Sequence, residues 1–211
     1  MRFAKVVAVA FAAQLTGCGP DPLFVNGQVG LDDDCEVSAD DEHAVELPVF
    51  DIATGGTAGS AACDDPFVAQ LWVENGESER ARVTEAEIRL ITLGGETLIF
   101  AETDPPLPNP FLLNTAGPVP ADGSGVIEVE VVPTEYAHSL TAFVGQKIAV
   151  SVVLHGETAG GDEIESSSFT APISICDGCR TLCASDPEAE DASCSAPELG
   201  PLRTFCVDPE C

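Results

Sequence analysis

Apolar residues recur at every second position in several short stretches of the chain, and no other pattern constrains its fold as strongly. Ile127, Val129 and Val131, for example, alternate with Glu128 and Glu130. A period of two places apolar side chains on one face of a β-strand and polar side chains on the other. We therefore predict short, half-buried strands at 47–52, 67–74, 88–92, 97–100, 127–131, 148–154 and 169–175.

Clusters of turn-forming residues separate these stretches. Gly94 and Gly95 predict a hairpin between 88–92 and 97–100. Only 133–140 has a helical pattern, of one or two turns. Short strands with frequent turns and no long helix predict an all-β fold, an antiparallel β-sandwich over 46–175. An immunoglobulin-like strand topology is compatible with this pattern, although the Cys–Trp–Cys spacing typical of those domains is absent. Further turn clusters lie at 54–56, 75–76, 121–125 and 159–162.

A proline-rich segment at 103–120 interrupts the strand pattern. Proline cannot donate to a strand ladder, so this segment is not expected to form a central strand. We interpret it as a rigid crossover between strands, in preference to a polyproline II recognition surface. Within it, 111–113 is apolar and predicts a short edge strand. Its prolines are Pro105, Pro106, Pro108, Pro110, Pro118 and Pro120.

The N-terminus has the features of an export signal. Arg2 and Lys5 precede an apolar run at 6–13, and small residues follow. Leu15-Thr16-Gly17-Cys18 closely resembles the lipobox of bacterial lipoproteins. The resemblance implies cleavage after residue 17, acylation of Cys18 and membrane attachment through the lipid. The alternatives are an ordinary signal peptide with a chance cysteine and an uncleaved anchor.

Gly19 follows Cys18, where Asp favours inner-membrane retention in well-studied bacteria, so we expect an outer-membrane lipoprotein. Residues 18–45 are rich in Gly, Pro and Asp, which disfavours a packed core. We predict that 18–45 is a flexible acidic tether that lifts the sandwich off the membrane.

Eight cysteines remain after Cys18, an even number that suits an oxidising compartment. We predict four disulfides, whose connectivity the sequence does not determine. Six of the eight follow residue 175, which predicts a disulfide-stapled extension at 176–211 and leaves Cys35 and Cys63 to pair with each other. Zinc binding is a less favoured alternative because the extension contains no histidine and no second C-x-x-C pair. Thiol redox chemistry is less favoured because Cys176 and Cys179 follow a predicted β-strand instead of opening a helix, and four further cysteines compete. The six are Cys176, Cys179, Cys183, Cys194, Cys206 and Cys211.

The chain is strongly acidic, with a net charge of −28 that becomes −30 when Arg2 and Lys5 leave with the signal peptide. Such a surface repels nucleic acid and anionic lipid headgroups. Calcium is the one cofactor worth weighing, because it prefers carboxylate and carbonyl oxygens. No EF-hand spacing is present, so we favour solvated acidic loops. The acidic residues weighed as calcium ligands are Asp32, Asp33, Asp34, Asp40, Asp41, Asp64 and Asp65.

No catalytic motif is present: the chain lacks a G-x-S-x-G elbow, an H-E-x-x-H helix and a P-loop. His43, His138 and His155 are scattered, and we interpret them as surface or packing residues. Trp72, the single tryptophan, shares a strand face with Gln70 that lies opposite the core. It is a candidate partner contact, although we favour the interpretation that another part of the chain covers it.

The order of these features resembles uncharacterised cysteine-rich surface lipoproteins of myxobacterial type. The similarity is carried by the lipobox, by 50–53, 73–75 and 160–161, and by 169–173 leading into Cys176 and Cys179. It implies a fold and a location, and no activity. We therefore expect a lipid-anchored, non-catalytic envelope protein with a binding or structural role, whose partner is an envelope protein or surface ligand. A calcium-dependent adhesin and a hydrolase with a site in its loops are the alternatives.

Overall fold

The computed structural model describes residues 22–29, 49–52 and 66–177. These residues form nine strands and two short helical turns. The helical pattern predicted at 133–140 is confirmed as one turn of α-helix followed by a 3₁₀ turn. In chain order the elements are β1 (Leu23–Val29), β2 (Val49–Asp51), β3 (Phe67–Asn75), β4 (Ala81–Thr92), β5 (Phe111–Val119), β6 (Gly123–Val132), α1 (Thr134–Ala137), a 3₁₀ helix (His138–Phe143), β7 (Lys147–Thr158), β8 (Glu163–Glu165) and β9 (Phe169–Cys176).

The strands form two sheets, so the predicted all-β sandwich is confirmed. One sheet has the order β1-β3-β6, and the other has the order β2-β9-β7-β4-β5, with β8 also paired to β7. The pairs are antiparallel except for β2 and β9, which run parallel. β8 and β9 pair with successive parts of β7, and a break at 166–168 separates them.

The inward faces of the two sheets form one apolar core. On β3, the predicted inward residues Ala69, Leu71 and Val73 are all buried. On β4 the alternation changes phase, because a register shift between Val83 and Glu85 adds one residue to the strand. The buried residues of β4 are Ala81, Val83, Ala86, Ile88 and Leu90.

The structure corrects the prediction that 18–45 is a flexible tether and that the sandwich begins at residue 46. Leu23–Val29 form β1, which pairs with β3 from Leu23 opposite Asn75 to Val29 opposite Gln70. Leu23 and Val29 of this strand are buried in the core. The Gly, Pro and Asp residues that surround the segment gave the whole range the composition of a linker, so its short run of strand-forming residues was not recognised. The rest of the predicted tether, residues 18–21 and 30–45, lies outside the described residues.

Two strand predictions need smaller corrections. Residues 97–100 form only single bridges, from Thr97 to Ile91 and from Phe100 to Leu107. The edge strand predicted at 111–113 continues to Val119 as β5 and includes Pro118. β5 is the last strand of its sheet, and an edge strand tolerates a residue without an N–H group.

One end of the sandwich, here called the Leu23 end, is held together by backbone hydrogen bonds. Gly76 donates its N–H to the carbonyl of Pro22, Asp122 donates to Glu77, and Ala159 donates to Arg80, each at 2.9 Å. The start of β1 therefore lies beside the turns β3–β4, β5–β6 and β7–β8. The opposite end, here called the Cys176 end, carries the last residue of β9.

The side chains of two asparagines, the buried Asn75 and the partly buried Asn109, supply hydrogen bonds to backbone groups at strand ends. At the Leu23 end, the Asn75 side chain donates to the carbonyls of Glu79 at 2.8 Å and Pro120 at 3.0 Å. Towards the Cys176 end, Asn109 bonds both backbone groups of Leu90: its Oδ1 accepts from the N–H at 2.9 Å, and its Nδ2 donates to the carbonyl at 2.7 Å. The same Nδ2 donates to the carbonyl of Leu98 at 2.8 Å. Asn109 thus extends the β4–β5 pairing by its side chain ahead of Phe111, where β5 begins.

Tyr136 on α1 closes the core beside β5. Its ring stacks on Phe111 with 4.8 Å between ring centroids and contacts Phe100 edge-on at 5.2 Å. Its hydroxyl donates to the carbonyl of Pro108. Burial, with a smaller contribution from the nearby Glu135 carboxylate, raises the pKa of Tyr136 to about 12.

Because Tyr136 is the single tyrosine, its ionisation is directly measurable. We expect the tyrosinate absorbance of the native protein to titrate with a midpoint near pH 12, against about 10 for the unfolded chain. A raised folded pKa means that this contribution to stability is present below pH 10 and is lost as the pH rises towards 12. The variant Tyr136→Phe is the control and should lack the absorbance change; a native midpoint near 10 would contradict the buried environment.

Candidate functional site

Most of the predicted site residues lie outside the described residues. These include the lipidation site Cys18, the cysteines Cys35, Cys63, Cys179, Cys183, Cys194, Cys206 and Cys211, and all the aspartates weighed as calcium ligands. Cys176 is described: it ends β9 and is disulfide-bonded. Its partner lies outside the described residues, so the four predicted disulfides stay a prediction as a set.

Trp72 occupies the outer face of the three-stranded sheet, as its place in the alternation predicts. It pairs with Gly27 on β1 and Val126 on β6. Its side chain is half-buried, and its Nε1 is a buried donor without a hydrogen-bond partner. On the same strand face, the Oε1 atom of Gln70 is a buried acceptor without a partner. The indole N–H is therefore not presented to solvent, which favours the interpretation that Trp72 is covered. Its role in partner binding stays a prediction.

The two described histidines differ in their surroundings. His138 starts the 3₁₀ helix, and its carbonyl accepts a hydrogen bond from the Thr141 hydroxyl at 2.6 Å. His155 lies on β7 with Nδ1 3.6 Å from Oε2 of Glu165, which β8 brings opposite it. Glu165 is largely exposed, so this pair contributes little to stability. Sequence alone missed the pair because a three-residue strand such as β8 has too few positions to show alternation.

An open groove at the Leu23 end brings the end of the proline-rich segment 103–120 together with arginines and a glutamate that the sequence analysis did not single out. It has a volume of about 490 Å³ and lies where the start of β4 meets the ends of β5 and β7. Arg82 pairs with Pro118 on one side and Glu157 on the other. The groove is lined by Arg80, Ala81, Arg82, Ala116, Gly117, Pro118, Glu157, Thr158 and Ala159.

The groove concentrates positive charge on an acidic protein. Only four Lys or Arg residues fall within 22–29, 49–52 and 66–177, and Arg80 and Arg82 are two of them. Both are exposed, and neither forms an ion pair with a described residue. By contrast, Arg89 on the same strand bonds Glu87 at 3.2 Å. Arg80 directly precedes β4 and Arg82 lies on it, and both line the groove. Their two guanidinium groups can bind an anionic group there through several N–H donors.

The groove also contains one carboxylate. Glu157 lies directly across from Arg82 in the β4–β7 register. Glu79 lies in the adjoining turn, where its Oε2 accepts from the N–H of Gly160 at 2.9 Å. The groove thus offers two cationic groups and one anionic group side by side, over a floor of small side chains.

Two structural features bear on metals and membranes. Among the described residues, no group of three or more His, Cys, Asp or Glu side chains is placed to hold a metal ion. Within 22–29, 49–52 and 66–177, no helix is long and apolar enough to cross a membrane.

Comparison with known proteins gives little. No family model matches the sequence, and no curated protein matches it. Among solved structures, the chain is similar to the sporulation control protein Spo0M of Bacillus subtilis, with 14% sequence identity and a TM-score of 0.29. That match covers 52% of this chain and 42% of Spo0M, so it spans less than half of that protein.

Proposed function

We propose that the protein is a lipid-anchored, non-catalytic component of the bacterial envelope that holds a β-sandwich at the outer membrane for a binding or structural role. The observation that carries the proposal is the lipobox-like Leu15-Thr16-Gly17-Cys18 followed, five residues after Cys18, by the first strand of the sandwich. A folded domain directly behind an acylated cysteine is the arrangement of a membrane-attached binding module.

The charge of the chain supports the same function. A net charge of −28 disfavours nucleic acid as a partner. It also disfavours attraction to an anionic membrane surface, so attachment depends on the acyl chains at Cys18. Beyond the membrane, the proposed partner is an envelope protein or a surface ligand. Cys176, at the opposite end of the sandwich, leads into the cysteine-rich extension that we propose to be stapled by disulfides.

Replacing the acylated cysteine tests the anchor. We expect Cys18→Ser to move the protein from the membrane fraction to the soluble fraction, because the thiol that carries the lipid is gone. Fractionation and immunodetection measure the shift. Thr16→Ser keeps the lipobox pattern and is the matched control, which should stay in the membrane fraction. Retention of Cys18→Ser in that fraction would refute the lipid anchor.

A second substitution tests the choice of membrane. Gly19 follows the lipidated cysteine, and we expect Gly19→Asp to shift the protein from the outer to the inner membrane. Separation of the two membranes by density reads out the change. An unchanged distribution would remove Gly19 as the basis for outer-membrane localisation.

A further inference from the structure

We propose that the Leu23 end of the sandwich rests on the membrane surface and that its groove binds the headgroup of a zwitterionic phospholipid. Arg80 and Arg82 bind the headgroup phosphate, and Glu157 binds its ammonium group. The proposal rests on the proposed lipid anchor at Cys18. It goes beyond the anchor because it specifies which surface of the sandwich contacts the membrane and which ligand that surface binds.

Chain length sets which end of the sandwich faces the membrane. Four residues separate Cys18 from Pro22, and a fully extended chain spans at most about 14 Å over that distance. β4 and β7, with twelve residues each, run the length of the sandwich, roughly 40 Å at the usual rise per residue. Cys18 therefore reaches the membrane only from the Leu23 end, and the Cys176 end points away.

Backbone contacts place the groove at that same end. Gly76 bonds Pro22, the last residue before β1, and the turn that follows Gly76 leads directly into Arg80. Arg80 in turn accepts the N–H of Ala159, which lines the opposite side of the groove. A lipid headgroup is thus the ligand that the anchor brings closest to these side chains.

The charges of the groove match a zwitterion better than a simple anion. The guanidinium groups of Arg80 and Arg82 suit the oxygens of a phosphate. The Glu157 carboxylate, opposite Arg82, would repel a lone anion but attracts an ammonium group. The acidity of the whole chain opposes binding to a surface of anionic lipids. Phosphatidylethanolamine carries both charges of the required zwitterion in one headgroup.

Tryptophan fluorescence tests the orientation, since the chain has a single tryptophan to replace. In a Trp72→Phe background, one variant carries Ser78→Trp at the Leu23 end and the other carries Leu93→Trp at the Cys176 end. Both original residues are exposed. With the lipidated proteins in vesicles that contain headgroup-quencher lipids, we expect several-fold stronger quenching of Ser78→Trp. Equal quenching, or stronger quenching of Leu93→Trp, would overturn the orientation.

Vesicle binding tests the headgroup site separately. Binding of one headgroup by the groove alone is weak and reversible, so Cys18→Ser is washed from membranes during cell fractionation, but its binding is measurable against an excess of vesicles. With the full-length Cys18→Ser protein and an excess of phosphatidylethanolamine-containing vesicles, we expect the double substitution Arg80→Gln and Arg82→Gln to weaken binding roughly tenfold. Arg89→Gln, on the same strand but outside the groove, is the matched control and should bind as the parent does. Equal binding by the double variant and the control would overturn the site.

Glu157→Gln distinguishes a zwitterion from an anion. We expect it to weaken binding to these vesicles; stronger binding would show that the groove takes an anion alone and would overturn the assignment. These outcomes are separable from failure of the proposed function. If the anchor proposal is wrong, Cys18→Ser stays in the washed membranes of whole cells. If the groove proposal is wrong, the arginine double variant and the Arg89→Gln control bind vesicles equally.

Discussion

We expect Gly156→Ala to destabilise the protein by roughly 2–4 kcal/mol. Gly156 lies on β7 opposite Val83, next to the register shift in β4. A Cβ at this position would lie 2.3 Å from the carbonyl oxygen of Arg82 and 3.0 Å from the Cα of Val83. These are backbone atoms of the central strand pair, so no side-chain rotation relieves the overlap.

Chemical denaturation of the oxidised protein measures this effect as a change in the midpoint. Gly27→Ala on β1 is the matched control, because a Cβ there meets nothing within 4 Å. We expect Gly27→Ala to be neutral or slightly stabilising, since alanine loses less backbone entropy on folding than glycine. Equal losses of stability in the two variants would contradict the close approach of β7 to the bulged strand.

We expect Asn109→Ala to cost roughly 2–4 kcal/mol of unfolding free energy. The substitution removes three hydrogen bonds, one to the N–H of Leu90 and two to the carbonyls of Leu90 and Leu98. These backbone groups are part-buried, and unpaired polar groups away from water are expensive.

Asn114→Ala is the control for this prediction. Asn114 is an exposed asparagine on β5, the strand that Asn109 precedes, and we expect its loss to change stability by no more than about 0.5 kcal/mol. Thermal unfolding followed by the fluorescence of Trp72 compares the two variants. A cost for Asn109→Ala as small as that of the control would show that water replaces the side chain at the strand end.

The predictions from sequence succeed where a strand keeps a regular alternation. β6, β7 and β9 contain the predicted ranges 127–131, 148–154 and 169–175; β9 matches to within one residue, whereas β6 begins four residues earlier and β7 ends four residues later than predicted. β4 was predicted only from residue 88, because the bulge after Val83 puts Thr84 and Glu85 out of phase with the rest of the strand. A bulge depends on the partner strand and leaves no periodic signal.

The strand β1 was missed for a different reason. Its seven residues include Asn26, Gly27 and Gln28, and they stand between proline on one side and an aspartate run on the other. Averaged over 18–45, the composition is that of a flexible linker, whereas the pairing of Leu23 and Val25 with β3 is a long-range contact. Composition over a wide window cannot resolve a strand of this length.

The groove could not be predicted from sequence at all. Arg80 and Arg82 are separated from Glu157 by about 75 residues, and only the antiparallel register of β4 and β7 brings them together. Trp72 is the opposite case, because its strand face follows directly from the alternation in β3. Its burial depends on what packs over that face, which alternation does not report.

The position of β1 has a mechanical consequence for an anchored protein. β1 lies at the edge of its sheet and runs antiparallel to β3, with its first residue at the end nearest Cys18. A pull from a partner bound at the far end would load the strand along its own axis, against the lipid. Its hydrogen bonds to β3 lie across that axis, so they would share the force and give way together instead of opening one after another. An edge strand loaded along its axis in this way resists the pull until its hydrogen bonds to the neighbouring strand break. The β1–β3 pairing would therefore set the force that a protein attached through Cys18 withstands before it unfolds.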